Sequence, residues 1–449
     1  MITTTVRSRS VLANDRLDAH FFTSSGVAAF ERITMFDAAG KASQVGDIAK
    51  VWDPPRFARA YAAPLEPGPL YLRPYDVFEY LPTSSDRLSL LRNEDVDRLV
   101  PKPGTLLQTC SGRNLGPVTI ADDDLAGFAL SHDMIRLEVD DEDTRLYLLA
   151  YLKTLTGQAL LRRGKSGSVI DHITPTDVSA VPLPMLATDV RDVVVTEMRR
   201  AVQSSASGRR RLRTVLAAQE AALPPPIPDP ANRTGWTFPS SRVTGRLDSA
   251  FYDPLVRAAR SQVAETGGVR CSELAAATLP VRYKRYYVGA DHGRPILSGR
   301  QILQLEPINL QYVSDRSFKE PDKYIVMAGM TIMAADGRSQ GGQGSASLVT
   351  TDRDGWLASN HVMRLTPRPG VRPGLVWLAM AARQTRLQVN ALSFGSVVDQ
   401  VNPQDVEDVL VPAVPLELAE EAEIAWREFA TAGSAFARAI AMFEAALHP

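Results

Sequence analysis

The sequence predicts an α+β protein: two tandem-repeated α/β domains, separated by long helices that pair as an antiparallel coiled coil with pseudo-two-fold symmetry. The main observation is a repeat. GSVIDHITPTDVSAVPLP, residues 167–184, returns as GSVVDQVNPQDVEDVLVP, residues 395–412. Nine of the 18 positions are identical, and three more exchange one aliphatic residue for another. The other two observations are short β-like runs within each copy and heptad spacing after each copy.

The repeat extends well beyond this pair of segments. RLDAHFF at 16–22 returns as RLDSAFY at 246–252, and RFARAY at 56–61 returns as RYKRYY at 282–287. Further blocks return in the same order, always 225 to 230 residues later: 68–82 as 293–307, 104–113 as 329–338, and 131–137 as 359–365. A period this long predicts two whole domains of roughly 170 residues, and it is too long for a solenoid or propeller repeat.

Each copy contains the signals of a mixed α+β domain. The runs GPLYL, GTLLQTC and GMTIM, which begin at Gly68, Gly104 and Gly329, are apolar, short and bounded by Gly or Pro, which is typical of strands. Late in copy one, LYLLAYLKTLTGQALLRRG at 146–164 predicts a short helix. Copy two has LVWLAMAARQTRLQVNALS at 375–393 in the matching place.

A long helix is predicted after each copy. Residues 187–223 contain no proline and are followed by PPPIPDPANRTGW, which must break a helix and predicts a stiff, extended linker. Apolar residues from 416 to 447 recur in steps of four and three, the spacing of a coiled-coil seam. The proposed seam residues are Leu212, Val215, Phe429, Phe436 and Phe443. The alternative is two separate amphipathic helices, each packed on its own domain.

These signals divide the chain into five parts. Residues 1–186 form domain 1, 187–223 the central helix, 224–240 the Pro-rich linker, 241–415 domain 2 and 416–449 the C-terminal helix. In an antiparallel pairing, residue numbers that sum to about 641 face each other, which places Phe436 near Ser205 and Phe429 near Leu212. Large residues then lie opposite small ones, so that the seam can pack without strain.

Composition limits the classes of function. The chain has 449 residues, of which 45% are apolar and 22% charged, as in an ordinary globular protein. No apolar run reaches the roughly 18 residues of a membrane span, and the N-terminus lacks the apolar core of a signal peptide. Two cysteines, Cys110 and Cys271, argue against a disulfide scaffold and favour a cytoplasmic setting. The net charge of −1 means that a nucleic-acid role would need local basic patches.

The sequence contains no catalytic constellation. GQALLRRGKS ends like a phosphate loop, but six residues separate Gly157 from Gly164 where the loop needs four. WDPPRF at 52–57 has Arg56 where the similar motif of DNA amino-methyltransferases has an aromatic residue, and no glycine-rich cofactor loop precedes it. The six histidines show no metal-ligand spacing. The motifs therefore give no indication of a catalytic, cofactor or metal site in this chain.

The ordered set of blocks resembles the specificity subunits of type I restriction-modification systems. RLDAHFF and RLDSAFY are similar to the openings of that family's domains, and GRPILSGRQILQLEP to its glycine-rich strand-turn. GTLLQTCSGRNLG and GMTIMAADGRSQG resemble its GDILISRSGTIG-type hairpin, and residues 167–184 resemble its domain end. The resemblance covers nearly the whole chain from residue 16. The sequences PMLATDV and VPLELAE depart from the family's usual helix beginnings.

The resemblance implies that the chain is a DNA-binding, non-catalytic subunit. Residues 1–186 and 241–415 would be target recognition domains, each reading one half of a bipartite, asymmetric site in duplex DNA. The helices would hold the domains apart and dock two methyltransferase subunits, which bind S-adenosylmethionine and flip the target adenine. A restriction subunit with translocase and nuclease activity could join them.

Certain residues are candidates for DNA contact. RYKRYY supplies Arg282, Lys284 and Arg285 beside three tyrosines, and RFARAY supplies Arg56 and Arg59; such interleaving favours a nucleic-acid face. The alternative is a solvated strand edge. At the matched hairpin tips, Arg113 and Arg338 follow a glycine, and Asn114 and Gln340 lie beside them as possible base readers, or all four belong to structural turns. RRRLR at 209–213 is a DNA-tracking face, an acidic-partner face, or the solvated side of the coil.

Two rival functions remain open. One is a two-headed protein-interaction adaptor without DNA specificity, which the near-neutral net charge favours. The other is the detached recognition half of a fused restriction-methyltransferase, which predicts methyl transfer by the isolated chain. Salt-dependent DNA binding separates the first rival from a specificity subunit, because phosphate contacts release counterions.

If the paired helices set the distance between the recognition domains, their length determines the gap between the half-sites. One heptad adds about 10 Å at ~1.5 Å per residue, which is about three base pairs at ~3.4 Å each. Adding seven residues to both helices should lengthen the unspecified gap by that amount and leave both half-sites unchanged. Methylome sequencing measures the gap. An unaltered gap with full activity would show that the helices do not set it.

Overall fold

A computed structural model of the chain describes residues 22, 24–37, 42–112, 114–163, 171–228, 235–336, 345–393 and 400–448. The chain divides into two compact units: unit 1 comprises residues 1–206 and 431–449, and unit 2 comprises residues 207–430. The division passes through both long helices, so that each unit contains a part of each helix. It therefore does not follow the five predicted segments, whose limits stay predictions.

Unit 1 combines short helices with three small sheets. Its helices are α1 (Ser25–Asp37), α2 (Val45–Ile48), α3 (Glu142–Lys153), α4 (Leu155–Arg163), α5 (Pro175–Ser179), the first part of α6 (Thr188–Ala222) and the last part of the C-terminal helix. Its strands are β1 (Ala42–Gln44), β2 (Lys50–Trp52), β3 (Tyr71–Leu72), β4 (Leu106–Thr109), β5 (Val118–Ile120), β6 (Ala129–Leu130), β7 (Met134–Glu138) and β8 (Pro182–Pro184).

The main sheet of unit 1 has four antiparallel strands in the order β2-β7-β4-β5. Leu106 on β4 faces Leu137 on β7, and both side chains are fully buried. Strands β3 and β6 form a parallel pair, and β1 and β8 form an antiparallel pair. Helix α3 begins where the Asp141 carboxylate accepts a hydrogen bond from the Thr144 backbone N–H at 2.7 Å, an N-cap that satisfies one free helix donor.

Unit 2 has the same series of elements. Its helices are α7 (Pro254–Glu265), α8 (Cys271–Leu274), α9 (Pro373–Ala381), α10 (Arg383–Ala391), α11 (Pro403–Glu407), the last part of α6, and the first part of α12 (Leu416–Ala446). Its strands are β9 (Val269–Arg270), β10 (Ala275–Thr278), β11 (Tyr287–Val288), β12 (Arg294–Leu297), β13 (Gln311–Val313), β14 (Thr331–Ala334), β15 (Ala346–Leu348), β16 (Leu357–Ala358), β17 (Val362–Pro367) and β18 (Leu410–Val411).

The sheets of unit 2 repeat the topology of unit 1. The main sheet has the order β10-β17-β14-β15, all antiparallel. β12 and β16 pair in parallel, as β3 and β6 do, and β9 and β18 pair antiparallel, as β1 and β8 do. Unit 2 adds β13 and β11 to the edge of β12. The predicted α+β class and the predicted duplication are therefore confirmed within the described residues.

The predicted strands are present, but the predicted short helix is two helices in each unit. In unit 1 the break is at Thr154, whose backbone is extended and whose hydroxyl donates to the Tyr151 carbonyl at 2.6 Å. In unit 2 it is at Ala382, also extended. Gly157 explains why the second helix can turn back so closely: a Cβ there would lie 2.1 Å from the Tyr151 carbonyl oxygen. Hydrophobic periodicity alone does not reveal such a break.

In unit 1, helix α6 packs antiparallel to the last part of α12. Arg438 pairs with Glu197 at 2.8 Å. Closer to the start of α6, Arg191 lies over the ring of Tyr147, and the same ring packs against Phe443 with centroids 4.8 Å apart. The Glu444 carboxylate also accepts hydrogen bonds from the Thr156 hydroxyl and backbone N–H at 2.7 and 3.0 Å. Helix α12 is thus fixed both to α6 and to the domain.

In unit 2, the last part of α6 packs against the first part of α12. Gly208 approaches α12 so closely that a Cβ would lie 3.0 Å from the Ala425 carbonyl oxygen and 3.2 Å from the Phe429 ring. The ring of Trp426 packs edge-on against Trp377 of α9, at 5.4 Å. The five predicted seam residues are all buried: Leu212, Val215, Phe429, Phe436 and Phe443.

One observed contact of the seam, at Phe429, can be compared with the predicted pairing. The prediction placed Leu212 opposite Phe429, whereas Gly208, about one helical turn earlier, lies against the ring of Phe429. The physical reason is size. Glycine has no side chain, so the Phe429 ring can pack against the helix backbone, whereas a leucine side chain would occupy that space. The sequence left two alternatives open, a pair of helices or two helices that each pack on a domain. Both contacts are present, because each helix contacts its partner helix and the domain.

The close contact at Gly157 predicts a large effect of adding one methyl group. Gly157→Ala should lower the free energy of unfolding by about 2–3 kcal/mol, because the methyl group overlaps the backbone of α3. Thermal unfolding followed by circular dichroism measures the change. Gly127→Ala is the matched control, since nothing lies within 4 Å of a Cβ there. Equal melting temperatures for the two variants would contradict the packing described for α3 and α4.

Candidate nucleic-acid interface

In unit 1, the candidate cations of RFARAY lie on the loop between β2 and β3. Phe57 anchors this loop: it packs edge-on against His132 at 5.5 Å and joins a core cluster that includes Tyr71 and Leu88. Arg56, Ala58 and Arg59 are exposed. The alternation of an inward aromatic residue with outward cations thus follows the pattern that the sequence indicated.

Arg59 has a carboxylate partner. Its guanidinium lies 3.5 Å from Asp133, at the start of the segment that leads into β7, and 5.7 Å from the centroid of the Tyr71 ring. Burial lowers the pKa of the adjacent His132, so that this imidazole is neutral at pH 7 and adds no positive charge. Of the two candidate arginines of this loop, Arg59 has a salt bridge and Arg56 has none to any described residue.

In unit 2, the matching loop lies between β10 and β11. Tyr283 anchors it, with its ring 4.7 Å from Phe318 and 4.3 Å from Tyr324. Arg282 and Lys284 are exposed, and the Lys284 ammonium lies 5.1 Å from the centroid of the Tyr286 ring. Neither cation forms a salt bridge within the described part of unit 2. Exposed tyrosines and free cations on a firmly held loop match the features of a surface that binds nucleic acid.

Arg285 pairs with a neutral amide rather than a carboxylate. Its guanidinium donates to the Asn360 side-chain oxygen at 2.7 Å. The Asn360 nitrogen lies 3.2 Å from His361 Nε2, and His361 Nδ1 is hydrogen-bonded to Asp336. A chain of hydrogen bonds thus connects the cationic loop to the end of β14, where the hairpin tip begins.

The hairpin tips carry the other candidates. In unit 1, the Asn114 side chain donates to the Tyr75 hydroxyl at 3.0 Å, and its carbonyl accepts from the Thr109 hydroxyl at 2.8 Å. These bonds give Asn114 a role in holding the turn. Arg113, Arg338 and Gln340 lie outside the described residues, so their roles as base readers stay predictions. The same applies to the domain opening at 16–21.

Sequence reasoning missed two buried arginines at matched positions, Arg136 on β7 and Arg364 on β17. Both are nearly inaccessible to solvent, at 1% and 2% exposure. Arg364 donates to the carbonyls of Ser359 at 3.0 Å, Ala358 at 2.6 Å and Tyr324 at 3.0 Å, and also to that of Val362. A signal was available: both copies place an arginine inside an apolar strand, in MIRL and VMRL.

In each unit, the buried arginine holds the backbone near the segment that contacts the cationic loop, residues 131–133 in unit 1 and 359–361 in unit 2. Arg136 donates to the carbonyls of Leu99 at 2.9 Å and Met134 at 3.3 Å, and lies 5.2 Å from the Trp52 ring. Burial lowers the pKa of both guanidinium groups to about 10, so that they stay charged at pH 7. In unit 2 the bonds of Arg364 fix the backbone on both sides of Asn360 and His361.

The basic run RRRLR has a partner within the chain. Arg211 pairs with Glu421 at 2.8 Å and with Glu428 at 3.1 Å, both on α12. Arg209 is buried. The acidic partner that the sequence left open is thus, for Arg211, a helix of the same unit.

The described residues contain no helix that is both long and apolar enough to cross a membrane. Within the same ranges, no cluster of three or more histidine, cysteine or carboxylate side chains could hold a metal ion. Cys110 and Cys271 are both buried, free thiols. Burial raises the pKa of Cys110 to about 11 and that of Cys271 to about 12.

The sequence matches no family model and no curated protein. Among solved structures, it is similar to the S subunit of a type I restriction-modification system from M. genitalium, at 11% identity over 90% of this chain and 94% of that chain, with a TM-score of 0.32. It is also similar to the HsdS subunit from Thermoanaerobacter tengcongensis, at 15% identity over 91% of this chain and 93% of that one, with a TM-score of 0.28. At TM-scores this low, the similarities assign no residue and no activity to this chain.

The buried arginines predict a test of the loop's support. Arg364→Met removes the donors while keeping much of the volume, which deletes the guanidinium hydrogen bonds to four backbone carbonyls and should lower the free energy of unfolding by about 3 kcal/mol. Thermal unfolding is the measurement, and Arg316→Met, at an exposed position of the same unit, is the control. A loss no larger than that of the control would show that Arg364 is dispensable for holding the segment 358–362.

Proposed function

We propose that the chain is the sequence-specific DNA-binding specificity subunit of a type I restriction-modification complex. Each unit reads one half of a bipartite, asymmetric site in duplex DNA. The chain directs adenine methylation by two methyltransferase subunits, which bring the S-adenosylmethionine, and restriction subunits can add cleavage to the same complex.

The observation that carries the proposal is the pair of matched cationic loops on duplicated units. A DNA site with two halves calls for two readers of the same architecture, and the two units have the same sheet orders and the same helix series. In both, an aromatic residue anchors a loop that presents basic side chains to solvent. Phosphate contacts require such cations, while base reading requires donors and acceptors close to them.

The difference between the two units supports an asymmetric target. The segment that the loop contacts reads SHD at 131–133 in unit 1 and SNH at 359–361 in unit 2. The loop arginine consequently has a carboxylate partner in one unit and an amide partner in the other. The two units therefore differ in the polar groups around the cationic loop, and the two half-sites should differ in sequence.

A protein-interaction adaptor is the second candidate, and one specific observation favours it. Unit 1 exposes several leucines in the segments that precede and follow β3: Leu65, Leu70, Leu90 and Leu91. Leu65 is 98% exposed. Exposed apolar side chains that lie together are typical of surfaces that bind another protein. A specificity subunit must also contact its methyltransferase, so this surface is compatible with both functions.

The proposal predicts that methylation requires a second chain. The purified chain, supplied with S-adenosylmethionine and DNA, should transfer no methyl groups, because in this proposal the methyltransferase subunits bind the cofactor. Addition of the separate partner methyltransferase chain should produce adenine methylation at one bipartite sequence. Tritium transfer from labelled cofactor, followed by sequencing of the product, measures both rate and position.

Two controls make the result decisive. The methyltransferase without this chain should be inactive on the same DNA. Methyl transfer by the isolated chain would favour the detached half of a fused enzyme. A partner that methylates the same sites with and without the chain would favour the adaptor.

A further inference from the structure

The two cationic loops are matched in position but not in charge. Residues 53–61 of unit 1 contain Asp53, Arg56 and Arg59, a net charge of +1. The aligned residues 279–287 of unit 2 contain Arg282, Lys284 and Arg285, a net charge of +3. Two exchanges in the alignment produce this difference: unit 2 has leucine in place of Asp53 and Lys284 in place of Ala58.

The contacts of the loops increase the difference. Asp133 lies 3.5 Å from Arg59 and offsets its charge, whereas the matched segment of unit 2 presents Asn360 to Arg285. A carboxylate is present near this place in unit 2 as well, but Asp336 is hydrogen-bonded to His361. Within the described residues, no carboxylate forms a salt bridge with Arg285, and a neutral amide oxygen holds its guanidinium in place.

We propose that the two units divide the work of DNA binding unequally, so that the 282–285 loop of unit 2 provides most of the phosphate contacts and unit 1 is electrostatically weak. The proposal rests on the proposed function and deepens it. The ligand is the phosphate backbone of duplex DNA, because exposed cations without a carboxylate partner, here Arg282 and Lys284, recognise it without regard to base sequence. Unit 2 anchors the chain on DNA.

The arrangement has a consequence for the target site. Since unit 2 binds any duplex through phosphates, the complex can engage DNA there before unit 1 has found its half-site. The weaker attraction of unit 1 then leaves its binding more dependent on base contacts. A mismatch in the half-site of unit 1 should therefore reduce affinity by a larger factor than a comparable mismatch in the half-site of unit 2.

The test uses the full-length chain and a random-sequence duplex of about 30 base pairs, with binding measured by fluorescence anisotropy between about 50 and 200 mM NaCl. Each lost phosphate contact reduces the slope of log Kobs against log[NaCl] by about 0.9. Arg282→Ala with Lys284→Ala should therefore reduce the slope by about 1.8. Arg383→Ala, which removes an exposed cation elsewhere in unit 2, should leave it unchanged.

Unit 1 offers gain-of-function variants that loss of structure cannot imitate. Asp133→Asn releases Arg59 and should increase the slope by about 0.9, and Ala58→Lys copies Lys284 at an exposed position and should do the same. Both should tighten binding at low salt. Ala58→Lys is the safer variant, because its side chain enters solvent and disturbs no packing.

The outcomes separate the two levels of the proposal. Steeper slopes for the unit 1 variants, together with a reduced slope for the unit 2 double variant, support the unequal division. If the unmodified chain binds DNA but neither Ala58→Lys nor Asp133→Asn steepens the slope, the unequal division is wrong and the specificity role stands. If the chain alone and with its methyltransferase shows no salt-dependent DNA binding, the proposed function itself is wrong.

Discussion

Burial of the two long helices is the constraint on which each unit depends. Small residues along both seams, such as Ala201 in unit 1 and Gly208 and Ala425 in unit 2, are buried where the helices meet. In each unit, aromatic residues of α12 fill the remaining space: Phe443 packs on Tyr147, and Trp426 on Trp377. Each of these two helices has a largely polar exposed face, so that it would be only marginally stable as an isolated helix in water. Packing against the partner helix and the domain stabilises it, so that helices and domains form one core in each unit.

A second constraint connects that core to the candidate DNA surface. Arg136 and Arg364 bring a charge into the interior and donate hydrogen bonds to backbone carbonyls of neighbouring segments. Buried charges persist only where hydrogen bonds compensate for lost hydration. In unit 2, these bonds fix the segment that carries Asn360, and Asn360 in turn holds Arg285. The order of the surface cation thus derives from an interior one, and the exposed loop is firmly positioned although its own side chains are polar.

Much of the fold was predictable because the chain states its pattern twice. Matching blocks identified the strands around Leu106 and Thr331, and heptad spacing indicated a long helix after each copy. The break at Thr154 was not predictable, since it depends on the close approach of Gly157 to the Tyr151 carbonyl at the end of the preceding helix rather than on periodicity. For the site, sequence indicated the cations but not their partners. Asp133 and Asn360 reach the loop only through folding. They determine that the charge of Arg59 is offset by a carboxylate and that the charge of Arg285 is not.

The central claim is that this chain chooses a bipartite DNA sequence for methylation by other subunits. The most direct measurement is methylome sequencing of cells with and without the gene. The account predicts that one adenine mark disappears in its absence, that the mark lies in two unlike half-sites with an unspecified gap, and that the methyltransferase gene alone does not restore it. An unchanged set of methylated adenines in cells where the methyltransferase is expressed would contradict the account.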